Sequence, residues 1–183
     1  MYIKDILIDG FGIYHETSLH DIPRGLSLFL GENEAGKSTC MEFLRTMLTD
    51  FPQGKNRILY PPLRGGRFGG SLSVILDDGE ELLLSRYKEK SSSVLTLASE
   101  GKELNPNRIA EILAGVTRES YARVFGFSLQ ELEQKLSPSD VQDALYSATF
   151  GANLKDPNLV LKNFTDIMGK KFSPRGKKKN IHY

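Results

Sequence analysis

The 183-residue sequence contains a single cysteine, no tryptophan and only three histidines. One cysteine cannot form an internal disulfide, and with three scattered histidines it argues against a structural zinc site. No segment approaches the ~20 consecutive apolar residues that a membrane-spanning helix needs. The first residues also lack the apolar core of a secretory signal peptide. We therefore expect a cytoplasmic protein that makes no contact with a membrane.

The sequence also lacks an excess of either charge, because 24 basic residues face 23 acidic ones and the net charge is +1. Overall charge therefore gives no argument for nucleic-acid binding. Locally, six basic residues and no acidic residue lie between Lys170 and Lys179, which marks a basic tail over residues 170–183. A hydrophobic content of 39% is ordinary for a globular protein. At roughly 150 residues per domain, the length predicts one domain over residues 1–183.

The first 104 residues are rich in strand patterns. Tyr2–Asp9 alternates in a way that favours a strand, and residues 72–86 predict a hairpin that turns at Asp77–Glu80. A second hairpin is expected over residues 94–104. Leu26–Leu30 is almost entirely apolar, which is typical of a strand buried on both faces.

Helical patterns begin at Lys37, where the apolar spacing changes to one stripe of a helix formed by Cys40, Phe43, Leu44, Met47 and Leu48. Because Cys40 belongs to this stripe, we expect a buried structural thiol there. Further helix starts are predicted at Asn105-Pro106, Thr117, Ser128, Ser137 and Asp156-Pro157. The expected fold is α/β, with a mixed sheet containing antiparallel hairpins and a helical C-terminal half over residues 105–170.

Gly31-Glu-Asn-Glu-Ala-Gly36-Lys37-Ser38 matches the phosphate-binding pattern G-x-x-x-x-G-K-[ST]. Such a loop binds ATP through main-chain N–H groups at a helix N-terminus, and its glycines let the backbone approach the phosphates. We expect Lys37 to reach the β- and γ-phosphates, Ser38 to bind Mg²⁺, and Thr39 to donate to the α-phosphate. The other residues expected to line the ATP are Gly31, Asn33, Glu34, Ala35 and Gly36. A glycine turn before an unrelated helix is the alternative interpretation.

Two segments imitate the rest of a hydrolytic site. Asp77 and Asp78 follow an apolar run, as the acid that binds Mg²⁺ would, but the turn after them favours the tip of a hairpin. Residues 63–67 resemble the signature of ABC-type ATPases, yet they lead into a strand pattern rather than a helix. The sequence therefore predicts a nucleotide cradle without a convincing hydrolytic half.

Residues 3–11 and 25–39 resemble the opening of ABC-type ATPases of the SMC, RecF and SbcC group, and the Asn-Glu-Ala-Gly-Lys-Ser-Thr loop resembles the YhaN-type branch more closely. The resemblance implies the N-terminal lobe of a P-loop ATPase head. In that family a C-terminal lobe, separated by a long coiled coil, carries the signature, the Walker B acids and the switch histidine. On this interpretation the chain is part of a longer protein and ends near the start of the coiled coil.

The resemblance also implies a role for Gln130 as the Q-loop glutamine that contacts Mg²⁺ and the attacking water. An exposed residue on a helix is an equally good interpretation of Gln130. The implied function is ATP hydrolysis after completion by the C-terminal lobe and dimerisation with a second head, in DNA repair or chromosome maintenance. A nuclease of the calcineurin-like phosphoesterase type is the implied partner.

Two other functions stay open from the residues alone. One is a self-contained small P-loop kinase that uses Asp77 or Asp78 for Mg²⁺, and the other is a non-catalytic nucleotide-binding interaction module. Arg64 and Arg67 lie in a Gly- and Pro-rich loop with Tyr60 and Phe68, a composition compatible with DNA-backbone contacts. A solvated loop explains the same residues and is the favoured interpretation.

Overall fold

A computed structural model describes residues 1–54, 59–90 and 92–126. Six strands and three helices lie in this part of the chain: β1 (Tyr2–Phe11), β2 (Tyr14–Leu19), α1 (Lys37–Thr49), β3 (Gly69–Ile75), β4 (Glu81–Lys88), β5 (Ser93–Ser99), β6 (Lys102–Leu104), α2 (Arg108–Ile112) and α3 (Arg118–Val124). The strands form one sheet in the order β2-β1-β3-β4-β5-β6.

The register of the sheet aligns four apolar side chains in a row across its centre. Ile6 pairs with Leu72, Leu72 with Leu84, and Leu84 with Leu97. All four side chains are buried. Because alternate residues of a strand point to opposite faces, this register also commits the neighbouring positions to the other face. The row forms the floor of the hydrophobic core.

Helix α1 covers that floor with its apolar stripe. Phe43 and Met47 are fully buried, and the Phe43 ring meets Phe11 of β1 edge to face with 5.4 Å between ring centroids. The helix ends at Asp50, whose N–H donates to the Thr46 carbonyl. Both the predicted helix and the predicted burial of the Cys40 thiol are confirmed.

The two predicted hairpins are confirmed as β3–β4 and β5–β6. Thr117 caps α3 as expected, because its hydroxyl accepts the Ser120 N–H at 3.2 Å while the Ser120 hydroxyl accepts the Thr117 N–H at 2.9 Å. The helix starts predicted at Ser128, Ser137 and Asp156, and the basic tail, lie outside the described residues. None of the helices in the described part of the chain is long and apolar enough to cross a membrane.

The strand predicted at Leu26–Leu30 is wrong for this structure. The segment joins no strand of the sheet, and Leu26, Leu28 and Leu30 are 97%, 77% and 83% exposed. A strand in the interior of a sheet needs neighbours to pair with, and neither edge strand of the described sheet, β2 or β6, pairs with this segment. The leucine side chains of this segment are therefore not buried by any other part of the described residues.

The α/β character of the fold is confirmed, whereas the expected mixed sheet is not found in the described strands. Every ladder between them is antiparallel. One isolated parallel bridge joins Gly10 and Phe68. Four of these ladders join strands that follow one another along the chain, which favours antiparallel pairing, and β1 also pairs antiparallel with β3, which follows α1.

Replacing Phe43 with Ala should lower the free energy of unfolding by about 3–5 kcal/mol, because it leaves a cavity between α1 and the sheet. Leu26→Ala is the matched control and should change stability by less than about 0.5 kcal/mol, since Leu26 is exposed. Urea unfolding followed by circular dichroism measures both values. Equal losses in the two variants would contradict the assigned core.

Candidate functional site

The segment from Gly31 to Gly36 forms an exposed loop directly before α1. A turn within it is closed by the Ala35 N–H, which donates to the Glu32 carbonyl at 3.2 Å. Gly36 is the N-cap residue of α1, no side chain caps the helix, and its first turn contains no acidic residue. The first N–H groups of a helix have no acceptor within the helix and carry positive partial charge. This end of α1 is therefore suited to an anion.

Gly36 is required by both conformation and space. Its φ of 94° is in the left-handed region that favours glycine. A Cβ at this position would lie 2.6 Å from Ile13 Cδ1 and 2.9 Å from Tyr14 Oη. Glu34 also has a positive φ, of 67°, which costs about 1 kcal/mol in a residue with a side chain. Strain of this kind is commonly retained where a loop holds a ligand.

The Lys37 ammonium lies over the loop. Its Nζ donates to the Gly31 carbonyl at 2.7 Å and to the Glu32 carbonyl at 2.6 Å. Lys37 and Ser38 are exposed and Thr39 is partly exposed, so all three side chains lie at the accessible start of the helix. The ammonium group has three protons, and two of them are donated to these carbonyls. A phosphate oxygen could accept the third proton or replace one of the carbonyls.

The side chains of this site could bind Mg²⁺ only if a phosphate supplied further ligands. In the described residues no group of three or more His, Cys, Asp or Glu side chains could hold a metal ion. Mg²⁺ characteristically keeps several waters and binds through few protein ligands plus substrate phosphates. The Ser38 hydroxyl beside a phosphate cradle fits that pattern.

Residues 1–183 match the AAA domain family over their whole length. The chain belongs to the AAA domain family. It is 28% identical over 130 residues to the uncharacterized protein YhaN of Bacillus subtilis strain 168, covering 69% of this chain and 13% of that protein. It is also 28% identical over 94 residues to the structural maintenance of chromosomes protein 3 homolog of Plasmodium falciparum isolate 3D7, covering 51% of this chain and 8% of that protein.

These comparisons confirm the resemblance to an SMC- and YhaN-like ATPase head. Membership of the family implies ATP as the ligand, usually with Mg²⁺. The AAA domain spans only a small part of the length of both relatives. The phosphate-binding roles of the individual residues from Gly31 to Thr39 stay predictions.

The remaining candidate residues of this AAA domain are not brought to the phosphate loop by any described contact. Gln130 lies outside the described residues. Arg64 and Arg67 are exposed in the loop before β3. The Arg67 guanidinium lies 3.8 Å from the centre of the Tyr87 ring, and the main-chain N–H of Arg67 donates to Asp9 Oδ1 at 3.1 Å. Their role in nucleic-acid binding stays a prediction.

The two segments that imitate a hydrolytic site have the structure expected from their turn chemistry. Asp77 and Asp78 occupy the turn between β3 and β4. The Met1 amino group donates to Asp77 Oδ1 at 2.7 Å, and this hydrogen bond lowers the pKa of that carboxyl. Residues 63–67 form a loop that leads into β3 and not into a helix.

The thiol of Cys40 does not belong to the chemistry of the site. It is buried on the core side of α1, and burial raises its pKa. The thiolate is the nucleophilic form of cysteine, so a raised pKa disfavours reaction at neutral pH.

Sequence reasoning missed the residues that support the phosphate loop from below. Gly12, Ile13 and Tyr14, at the tip of the β1–β2 hairpin, contact Gly36 and Thr39. The tip is tied to the next loop, because the Gly12 N–H donates to the Tyr60 carbonyl and the Leu63 N–H donates to the Gly12 carbonyl, both at 2.9 Å. A sequence pattern could indicate the turn at Gly12, but no local signal indicates what the turn touches.

Proposed function

We propose that this AAA domain is the ATP-binding half of an SMC- and SbcC-like ATPase head. The observation that carries the proposal is the exposed loop at the uncapped start of α1, with Gly36 at its last position and the Lys37 ammonium over it. Main-chain N–H groups of Asn33, Glu34, Ala35 and Gly36 would surround the β-phosphate, as in other phosphate loops, and the Ala35 N–H would exchange the Glu32 carbonyl for a phosphate oxygen. Lys37 would neutralise the β- and γ-phosphates.

The Ser38 hydroxyl would contribute one ligand to Mg²⁺, and the Thr39 hydroxyl would donate to the α-phosphate. Both residues follow Lys37 in the first turn of α1, so their positions relative to the loop are fixed by the helix. Mg²⁺, when bound, would neutralise charge on the terminal phosphates during transfer. These assignments rest on the match to the phosphate-loop pattern and on family membership.

The second lobe of the head would dock on the exposed segment Leu26–Leu30. Leu26, Ser27 and Phe29 of this segment line a groove of about 660 Å³ together with side chains from β1, α1 and the α2–α3 region. The lining is mainly apolar, and the Ser27 hydroxyl oxygen is buried in it without a hydrogen-bond partner in the described part of the chain. A strand from the C-terminal lobe would pair with the segment, bury its leucines and give Ser27 a partner.

Hydrolysis would then require groups that the C-terminal lobe supplies: the Walker B acids, the signature loop and the switch histidine. Two heads would dimerise around the nucleotide, and Gln130 would connect Mg²⁺ and the attacking water to the helical region. We propose DNA repair or chromosome maintenance as the process, with a coiled coil between the lobes and a calcineurin-like phosphoesterase nuclease as partner. The P. falciparum relative, named for structural maintenance of chromosomes, supports chromosome maintenance as the process.

Two alternative functions lead to different measurements. A self-contained kinase would form ADP only with a small acceptor and would need Asp77 or Asp78 close to the phosphates, whereas both lie in the β3–β4 turn. A non-catalytic interaction module would bind ATP but fail to hydrolyse it even after the C-terminal lobe is supplied.

Lys37→Ala should abolish the stabilisation of the chain by Mg·ATP, since it removes the ammonium that neutralises the phosphates. At an ATP concentration 100 times the dissociation constant, the wild-type chain should gain about 2.7 kcal/mol of stability. Lys102→Ala, in exposed β6, is the matched control and should keep the full gain. Thermal unfolding with and without nucleotide measures the effect, and an unchanged shift in Lys37→Ala would reject the assigned cradle.

ATP turnover should appear only when the chain is combined with the C-terminal lobe of its parent protein, and Leu26→Asp should prevent it by placing a charge in the docking groove, which Leu26 lines. Leu83→Asp is the control, because Leu83 is also exposed but lies on the opposite face of the sheet from buried Leu82 and Leu84. Co-purification and phosphate release are measured together. Rapid turnover by the 183-residue chain alone would contradict the need for a second lobe.

DNA contact through Arg64 is a further part of the proposal. Arg64→Ala should weaken binding to duplex DNA and reduce the slope of log affinity against log salt by about one. Arg24→Ala, also exposed but far along the chain from this loop, should leave the slope unchanged. Fluorescence anisotropy at several salt concentrations gives the slopes. Binding that does not respond to salt would exclude a contact with the DNA backbone.

A further inference from the structure

We propose that Tyr14 is a positioning residue of the phosphate loop, and that its hydroxyl orients the main-chain N–H of Lys37 through the Gly36 carbonyl. The proposal deepens the proposed function and rests on it for the ligand, which is the phosphate chain of a nucleotide. Tyr14 is the first residue of β2, 22 positions before Gly36.

The hydrogen bond that carries the inference runs from Tyr14 Oη to the Gly36 carbonyl oxygen, at 3.3 Å. The same oxygen accepts the N–H of Cys40 at 2.8 Å, the first hydrogen bond of α1. Gly36 O and the Lys37 N–H belong to one planar peptide unit and point in opposite directions. Two donors that hold the oxygen on the helix side therefore hold the N–H towards the loop, where a phosphate would bind.

The position of the tyrosine is itself fixed. Tyr14 pairs with Phe11 across the hairpin turn, and Gly12 within the turn is tied to Tyr60 and Leu63 by two main-chain hydrogen bonds. The turn also packs closely against α1, as the lack of space at Gly12 shows: a Cβ on this residue would lie 2.6 Å from Thr39 Cγ2. These contacts fix the position of the Tyr14 hydroxyl beside Gly36.

The protonation state of the tyrosine agrees with a donor role. Burial raises the pKa of Tyr14, so the hydroxyl keeps its proton at neutral pH and can donate to a carbonyl. A tyrosinate could not make this hydrogen bond, since it has no proton to donate.

The test is Tyr14→Phe in the 183-residue chain, which removes the hydroxyl and keeps the ring. Tyr2→Phe is the matched control, at the opposite end of β1 from the hairpin turn. We expect the dissociation constant for Mg·ATP to rise about threefold, near the low end of the range for a neutral hydrogen bond because 3.3 Å is long. Isothermal titration calorimetry measures the affinity.

A second readout separates positioning from a structural role. In the unliganded chain, the ¹H–¹⁵N resonance of Lys37 should shift in Tyr14→Phe and stay in place in Tyr2→Phe, while the midpoints of thermal unfolding stay equal. An unmoved Lys37 resonance, or an affinity loss matched by an equal loss of unliganded stability, would overturn the proposal. If the wild-type chain bound no nucleotide, the proposed function would fail, and the Lys37 resonance would still decide whether Tyr14 orients the peptide.

Discussion

The packing of α1 on the central apolar row of the sheet is the constraint on which the rest of the structure depends. Phe43 and Met47 fill the space above Leu72 and its neighbours, and the burial of these side chains fixes the helix axis. Because the helix is rigid, fixing its apolar stripe also fixes the place of its first turn. An anion site built from main-chain N–H groups acquires its position in this way, and the Tyr14 hydroxyl adds a side-chain contact to the Gly36 carbonyl at 3.3 Å.

The C-terminal end of α1 is held by charged groups as well as by apolar packing, since Leu48 and Phe51 are buried there. Arg86 of β4 is buried, donates to the Met47 carbonyl at 3.1 Å and pairs with Asp50 at 3.1 Å. Arg118 of α3 pairs with Glu42 of α1 and donates to the Asp50 carbonyl at 2.7 Å. Buried ion pairs add little net stability, but removing one partner is costly, so they define which arrangement is allowed. The pairs join α3 to the helix that carries the phosphate loop.

The phosphate loop and the Leu26–Leu30 segment are adjacent in the chain but differ in how well neighbouring elements support them. The loop contacts the β1–β2 hairpin turn and continues directly into α1. The segment just before it presents three leucines to solvent. Exposed apolar surface of this kind marks an interaction site more often than a free surface. The exposed apolar segment therefore lies next to the loop that we propose binds the nucleotide.

Local sequence patterns predicted several features of this protein: the apolar stripe of α1, the hairpins around Asp77–Glu80 and residues 94–104, the cap at Thr117 and the spacing of the phosphate loop. Each of them was predictable because it depends on residues that are close together in the sequence. Two features depended on distant parts of the chain. The apolar run Leu26–Leu30 predicted a buried strand, but burial requires a pairing partner and no local pattern states whether one is present. The support of Gly36 by Tyr14 was likewise invisible, since only the tertiary structure brings a hairpin turn beneath the start of a helix.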